Sequence, residues 1–239
     1  MNLEFKDCGR VSNNSYVQEL LSKVKENIEI FEYLAKVFSN LKENHTESLK
    51  IIDKFIDNTF NNTRLSRTLD LESRQKMIDL LKCIYRDDQF GDIRASFLEA
   101  VVFTFGPFSS EPRVNVYVEP KIIDNQIIVG RTNNRCDNVF HIRDSRPIRF
   151  IECKAEILNY FPKTKPFGQI SPQKRKQIRY FNRVHKYLTE NFTEPEIFVI
   201  SYNLDYEDSL KNVQDNWGFK FFKSFNPLEL INLVKQHSN

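Results

Sequence analysis

The sequence predicts an α/β protein, with a mixed central sheet flanked by helices and preceded by a helical N-terminal region. Three observations carry that prediction. Apolar residues recur at helical three- and four-residue steps through the first ninety positions. From about residue 91 a helical stripe gives way to runs rich in β-branched and aromatic residues, RVNVYVEP, KIIDNQIIVG, DNVFHIRD and RPIRFIECKA. A basic helix at about 171–190 is then followed by the apolar run EIFVISYN at 196–203. The chain of 239 residues fits one domain, or one with a helical extension. A 40% hydrophobic content with 21 Phe and 9 Tyr suffices for a core, which excludes wholesale disorder.

In chain order, the first helical stripe is Val17, Leu20, Leu21, Val24 and Ile28, and the second is Leu49, Ile52, Phe55 and Ile56. A third runs through Leu71, Met77, Leu80, Leu81 and Ile84, with Asp70 placed as its N-cap. The Asn-rich stretch at 58–64 reads as a loop. Ile93, Phe97, Val101 and Phe105 share one face of a helix that should stop at Gly106-Pro107. The four β-rich runs follow, the last two joined by a turn at Asp144–Pro147, and then the basic helix and its strand. EDSLKNV reads as a short helix, GFKFFK as a strand and PLELINLVKQ as a closing helix. The expected organisation is a helical region at 1–90, an α/β core at 91–203 and a C-terminal α/β extension at 204–239.

Composition narrows the function classes. The longest stretch without a charged residue is eleven residues, Ala100–Ser110, too short for a membrane helix of about 20. The N-terminus, MNLEFKDCGR, contains acids and lacks the apolar segment of a secretory signal. Four well-separated cysteines with no CxxC pair argue for a reducing, cytoplasmic setting. The formal net charge of +3 conceals a concentration of positive charge: residues 157–189 hold 8 basic groups and no acid, while the segments on either side are neutral or acidic. A polyanion such as nucleic acid is the partner such a segment suits, and a solvated helix face is the plainer alternative.

One constellation carries chemistry. On a strand RFIECKA, Phe150, Glu152 and Lys154 share a face while Ile151 and Cys153 point the other way. A carboxylate and an ammonium on an otherwise apolar strand are costly unless partnered. The triplet itself is common, since Glu4-Phe5-Lys6 and Glu119-Pro120-Lys121 have the same spacing. Only Glu152-Cys153-Lys154 follows a strand that opens with an acid, Asp137, so that a hairpin can bring Asp137 beside Glu152. Two converging carboxylates with a lysine alongside form an oxygen-ligand site suited to Mg²⁺.

At these residues the chain resembles the PD-(D/E)xK nuclease superfamily, whose restriction-endonuclease-like core runs α-β-β-β-α-β. The resemblance covers about half the chain, roughly 91–203. It implies that Asp137 matches the motif's first acid and that Glu152 and Lys154 match its Glu-x-Lys. It implies Asp137, Glu152 and the Cys153 carbonyl as metal ligands, Lys154 as the group that positions or deprotonates the attacking water, and Glu99 as an acid of the first core helix able to hold a second metal. Arg94 lies five residues before Glu99. The basic helix matches the second core helix, which in several members supplies a Gln or Lys. Its inward stripe of Phe181, Val184 and Leu188 extends back to Gln177 and then to Gln173 or Lys174, so Gln177, with Gln173 second, is expected near the phosphate or the water. Lys174, Arg175, Lys176, Arg179 and Arg183, with Gln173, are the expected nucleic-acid contacts. Cys136 rather than Pro precedes Asp137 and no clear QxxxY occurs, which speaks against a RecB-like exonuclease.

The function implied is a Mg²⁺-dependent endonuclease, with Mn²⁺ able to substitute, acting on double-stranded DNA in the manner of a type II restriction enzyme. A homodimer is left open and no membrane partner is expected. Two alternatives stay open: a nuclease acting on RNA or DNA with little sequence preference, and a non-catalytic DNA-binding module of the same fold. His141 shares the alternating face of Asp137, and an isolated strand histidine of this kind is more often packed than catalytic.

Overall fold

A computed structural model describes residues 3–42, 49–61, 69–106, 114–142 and 147–237. Its N-terminal region holds β1 (Leu3–Lys6), α1 (Ser15–Glu26), α2 (Ile30–Asn40), α3 (Leu49–Phe60) and α4 (Leu71–Tyr85). Helix α5 (Phe90–Phe105) leads to β2 (Val114–Val118), β3 (Lys121–Asp124), β4 (Ile127–Ile128), β5 (Asn138–Ile142) and β6 (Arg149–Lys154). Then come α6 (Ile157–Tyr160), α7 (Pro172–Asn191), β7 (Glu196–Ser201), α8 (Glu207–Lys211), β8 (Phe222–Phe225) and α9 (Pro227–His237). No helix among the described residues is long and apolar enough to cross a membrane.

The protein is thus mixed α/β, with a five-stranded sheet ordered β2-β5-β6-β7-β8 and a three-stranded sheet ordered β1-β3-β4. In the large sheet β2, β5 and β6 are antiparallel in succession, while β6-β7 and β7-β8 are parallel. Alternation along β6 and β7 divides the core. Ile151, Cys153, Phe198 and Ile200 pack with α1, α2, α4, α5 and α9 on one face. Phe150, Ile197 and Val199 pack with Ile178, Phe181, Val184 and Leu188 of α7 on the other. Each fully buried large apolar side chain of this kind contributes about 1.5–3 kcal/mol, so both faces are firmly held.

Local signals act as read. Asp70 Oδ1 accepts from the Ser73 N–H at 2.7 Å, capping α4. Gly106 caps α5, its N–H donating to the Val102 carbonyl. Other expectations are corrected. The N-terminus is not wholly helical, because β1 pairs antiparallel with β3, Phe5 opposite Ile122. KIIDNQIIVG is two strands rather than one, since Asn125 and Gln126 adopt φ of 46° and 71° and turn the chain between them. Helix α3 runs on to Phe60 through residues expected to be loop, because Thr59 and Phe60 are buried on its inner face. Strand β8 lies at Phe222–Phe225, later than the expected GFKFFK run. The turn expected at Asp144–Pro147 falls mostly outside the described residues.

Candidate active site

The hairpin of β5 and β6 sets the site. Asn138 pairs with Ile151 and Val139 with Phe150, so the next step of the ladder puts Asp137 opposite Glu152. Asp137 Oδ2 accepts from the Cys153 backbone N–H at 2.5 Å, which fixes its carboxylate at the strand end. Glu152 is only 2% exposed in the middle of the sheet. Its Oε1 lies 2.5 Å from Lys154 Nζ, and Gln177 Nε2 donates to both of its carboxylate oxygens at 3.3 Å. Gln177 is itself held, since its Oε1 accepts from Asn134 Nδ2 at 2.7 Å and its Nε2 donates to the Arg135 carbonyl at 2.6 Å. The structure therefore brings together Asp137, Glu152 and Lys154 of the β5–β6 hairpin and Gln177 of α7.

Electrostatics show what this costs. Burial, then the charge of Asp137, pushes the Glu152 carboxyl above the usual range, and burial does the same to Asp137 against the pull of Lys154 and the Cys153 N–H. Glu99 on α5 is pushed up to about 7, first by burial and then by Asp137. Burial opposes the charge on Lys154, but Glu152 and then Asp137 outweigh it and hold the ammonium above its ordinary range. The two carboxylates thus outweigh desolvation, and the ammonium donates to Glu152. One ammonium faces three carboxyl groups whose ionised forms are disfavoured, so the site favours added positive charge.

The donor chemistry fits a hard divalent cation. Two carboxylates are protein ligands of the kind that Mg²⁺ accepts alongside waters. Asp137 and Glu152 could hold such an ion. Among the described residues no three of His, Cys, Asp and Glu are grouped to hold a metal, Glu99 included. It sits on α5 behind the sheet, where burial and then the charge of Asp137 raise its carboxyl. Cys153 is buried, and its N–H serves the site by orienting Asp137. His141 lies with its ring tilted against Phe5 of β1, 5.2 Å between centres, and does not line the site.

A cleft of about 510 Å³ opens over Glu152 and Lys154, lined also by Asn134, Arg135, Glu156, Asn159, Tyr160 and the first turns of α7 at Ser171, Gln173, Lys174 and Gln177. Ser171 caps α7 and Pro172 starts it, so the helix presents its positive dipole end here. Sequence reasoning missed Asn134, Arg135, Glu156 and Tyr160. Only their closeness in sequence to Asp137 and to Glu152-Lys154 could have pointed to them. Glu156 receives the buried Arg94 at 3.0 Å and Lys42 at 2.8 Å, tying α5 and the N-terminal region to the end of β6.

The bases of the basic helix fall into two groups. Lys174 Nζ donates to the Asn159 carbonyl, Arg175 to the Gly168 carbonyl, and the Arg179 guanidinium lies 5.6 Å from the Phe167 ring centre. These three cations stitch the 157–170 segment to α7, because that segment offers carbonyls and a ring face where helix bases can reach them. Lys176 and Arg183 are exposed with no ion pair among the described residues, and Gln173 is exposed at the rim of the cleft. No protein-family model, curated protein or solved structure matches the chain.

Proposed function

We propose that the protein is a divalent-cation-dependent endonuclease that hydrolyses phosphodiester bonds of double-stranded DNA. The observation that carries this reading is the opposition of Asp137 and Glu152 across the hairpin, with Glu152, Lys154 and Gln177 lining an open cleft. The element order α5-β2-β5-β6-α7-β7, antiparallel through β6 and parallel beyond, supports the resemblance to the restriction-endonuclease-like core. Asp137 and Glu152 would hold Mg²⁺, which supplies a bound water of lowered pKa and offsets charge on the phosphate.

The chain's own groups do the rest. The Cys153 N–H keeps Asp137 turned into the site, and the Lys154 ammonium favours the ionised form of Glu152 against its burial. Lys154 also donates to any water or phosphate oxygen beside Glu152. Gln177, fixed by Asn134 and the Arg135 carbonyl, holds the Glu152 carboxylate in place with its remaining amide hydrogen. The exposed bases of α7 and its N-terminal dipole draw a polyanion to the mouth of the cleft. Sequence-specific cutting in the manner of a type II restriction enzyme rests on the family resemblance. The test is a digest of a plasmid and of a long genomic DNA with Mg²⁺, and with EDTA as control. Discrete bands that need Mg²⁺ are expected; a smear would remove sequence specificity, and intact DNA would remove the nuclease reading.

A further inference from the structure

Among the described residues seven buried side-chain polar atoms lack a hydrogen-bond partner, and two of them, Tyr160 Oη and Arg135 Nε, belong to residues lining the cleft over Glu152. Leaving a buried donor unsatisfied costs about 1–3 kcal/mol, so two in the wall of one cleft call for an explanation. Packing does not supply it. Tyr160 is 3% exposed, with its ring 4.7 Å from that of Phe161 and 5.3 Å from Lys154 Nζ, so a phenylalanine would fill the same space without the orphan hydroxyl. Nor is the neighbouring carboxylate its partner: Glu152 lines the same cleft, yet the hydroxyl makes no hydrogen bond to it. Burial, and then Glu152 and Asp137, push the phenol well above its ordinary range, so it stays a donor.

Arg135 is placed as firmly. Its carbonyl receives Gln177, and Asp137 two residues on is tied to β6, while its guanidinium has no ion pair among the described residues. The other charges of the cleft are taken: Glu152 by Lys154, Glu156 by Arg94 and Lys42, and Lys174 by the Asn159 carbonyl. Arg135 is the cation left to meet an anion, and a guanidinium suits phosphate oxygens.

We propose that the Tyr160 hydroxyl and the Arg135 guanidinium form a phosphate-binding wall of the cleft, each donating to a non-bridging oxygen of the substrate's phosphodiester. The inference deepens the nuclease reading and rests on it only for the phosphate being part of a nucleic acid. Inorganic phosphate is therefore the first probe. The wild-type protein, Tyr160→Phe, Arg135→Gln, Arg135→Lys and the control Lys121→Gln are titrated with phosphate in EDTA by calorimetry, with circular dichroism to verify folding. Wild type and Lys121→Gln should bind alike, and Tyr160→Phe and Arg135→Gln should each bind about tenfold more weakly, the loss of one charge-assisted hydrogen bond. Arg135→Lys, which keeps the charge and loses the Nε donor, should fall between. Cleavage of duplex DNA with Mg²⁺ is measured on the same proteins. If DNA is never cut while phosphate binding still depends on both side chains, the nuclease reading fails and the phosphate wall stands. If wild type binds no phosphate, or folded Tyr160→Phe and Arg135→Gln both bind it as wild type does, the phosphate wall fails, whatever the DNA assay shows.

Discussion

Three Glu-x-Lys triplets occur in this chain, and the two sheets receive them differently. Glu4-Lys6 and the Lys121 end of Glu119-Lys121 fall in the small sheet, where β1 and β3 pair so that Lys6 lies opposite Lys121. Glu119 is exposed with φ of 41° between the sheets. Glu152-Lys154 falls on β6, with β5 on one side and β7 on the other, where Glu152 is 2% exposed. The spacing is the same, and only burial and convergence differ. In the small sheet Glu4 and Lys6 are exposed and Lys121 half-buried, so water screens their charges, whereas on β6 desolvation forces every charge to interact strongly with its neighbours, and that coupling is what catalysis can use.

The largest expected effect tests that contrast directly. Lys154→Ala should lower DNA cleavage by orders of magnitude, while Lys121→Ala and Lys6→Ala should cleave like wild type. Asp137→Asn should abolish turnover yet bind duplex DNA in Ca²⁺ nearly as well, because phosphate contacts outside the metal site supply most of the affinity. A dead Lys121→Ala would show that the active triplet is the one between the sheets.

Glu119 also shows the limits of reading the sequence. Its backbone N–H donates to the Asp137 carbonyl at 2.9 Å, and its charge acts on both Asp137 and Glu99. Nothing in the tripeptide Glu-Pro-Lys announces this, since it depends on β2 lying beside β5. The pairing of Asp137 with Glu152 was legible because a hairpin is local and strand alternation has a fixed period. The inward turn of Gln177 was legible from helical spacing. Asn134, Arg135 and Tyr160 were not, because they sit in a loop and a single helical turn, whose course is set by packing against α7. Similarly, positive charge on α7 was legible, but not its use: whether an arginine meets a phosphate or a carbonyl of its own chain is decided by residues 157–170.

That division on α7 gives the second comparison. Replacing Lys176 and Arg183 with Gln should flatten the log–log salt dependence of DNA binding by about two units, one for each phosphate no longer neutralised. Replacing Arg175 and Arg179 with Gln should flatten it less and loosen the 157–170 segment, measured as faster proteolysis there. Equal flattening by both pairs would mean that the stitching interactions are given up when DNA binds.

A third comparison sets the buried ion pair behind the site against the exposed pairs elsewhere. Arg94 is 6% exposed and reaches both Glu156 and the Ala155 carbonyl, so Arg94→Met should destabilise the fold by about 3 kcal/mol, whereas removing the exposed Lys76 of the Glu72 pair should leave stability almost unchanged. Urea denaturation of the two variants measures the difference. A small loss for Arg94→Met would mean that Lys42 alone suffices to hold Glu156.

The smallest effect belongs to the small sheet and has the opposite sign. Lys6 and Lys121 face each other across β1 and β3, and like charges directly opposite on neighbouring strands repel. Lys6→Glu turns that repulsion into attraction without touching either core, so it should raise the melting temperature by about 1–3 °C at low ionic strength. Because both side chains stand at the surface, the gain should shrink as salt is added, over the range where the screening length falls below the cross-strand distance. DNA cleavage should not change. A gain that survives high salt would mean that Lys6 was disfavoured for its packing rather than its charge, and the small sheet would then resemble the large one in coupling its residues through desolvation.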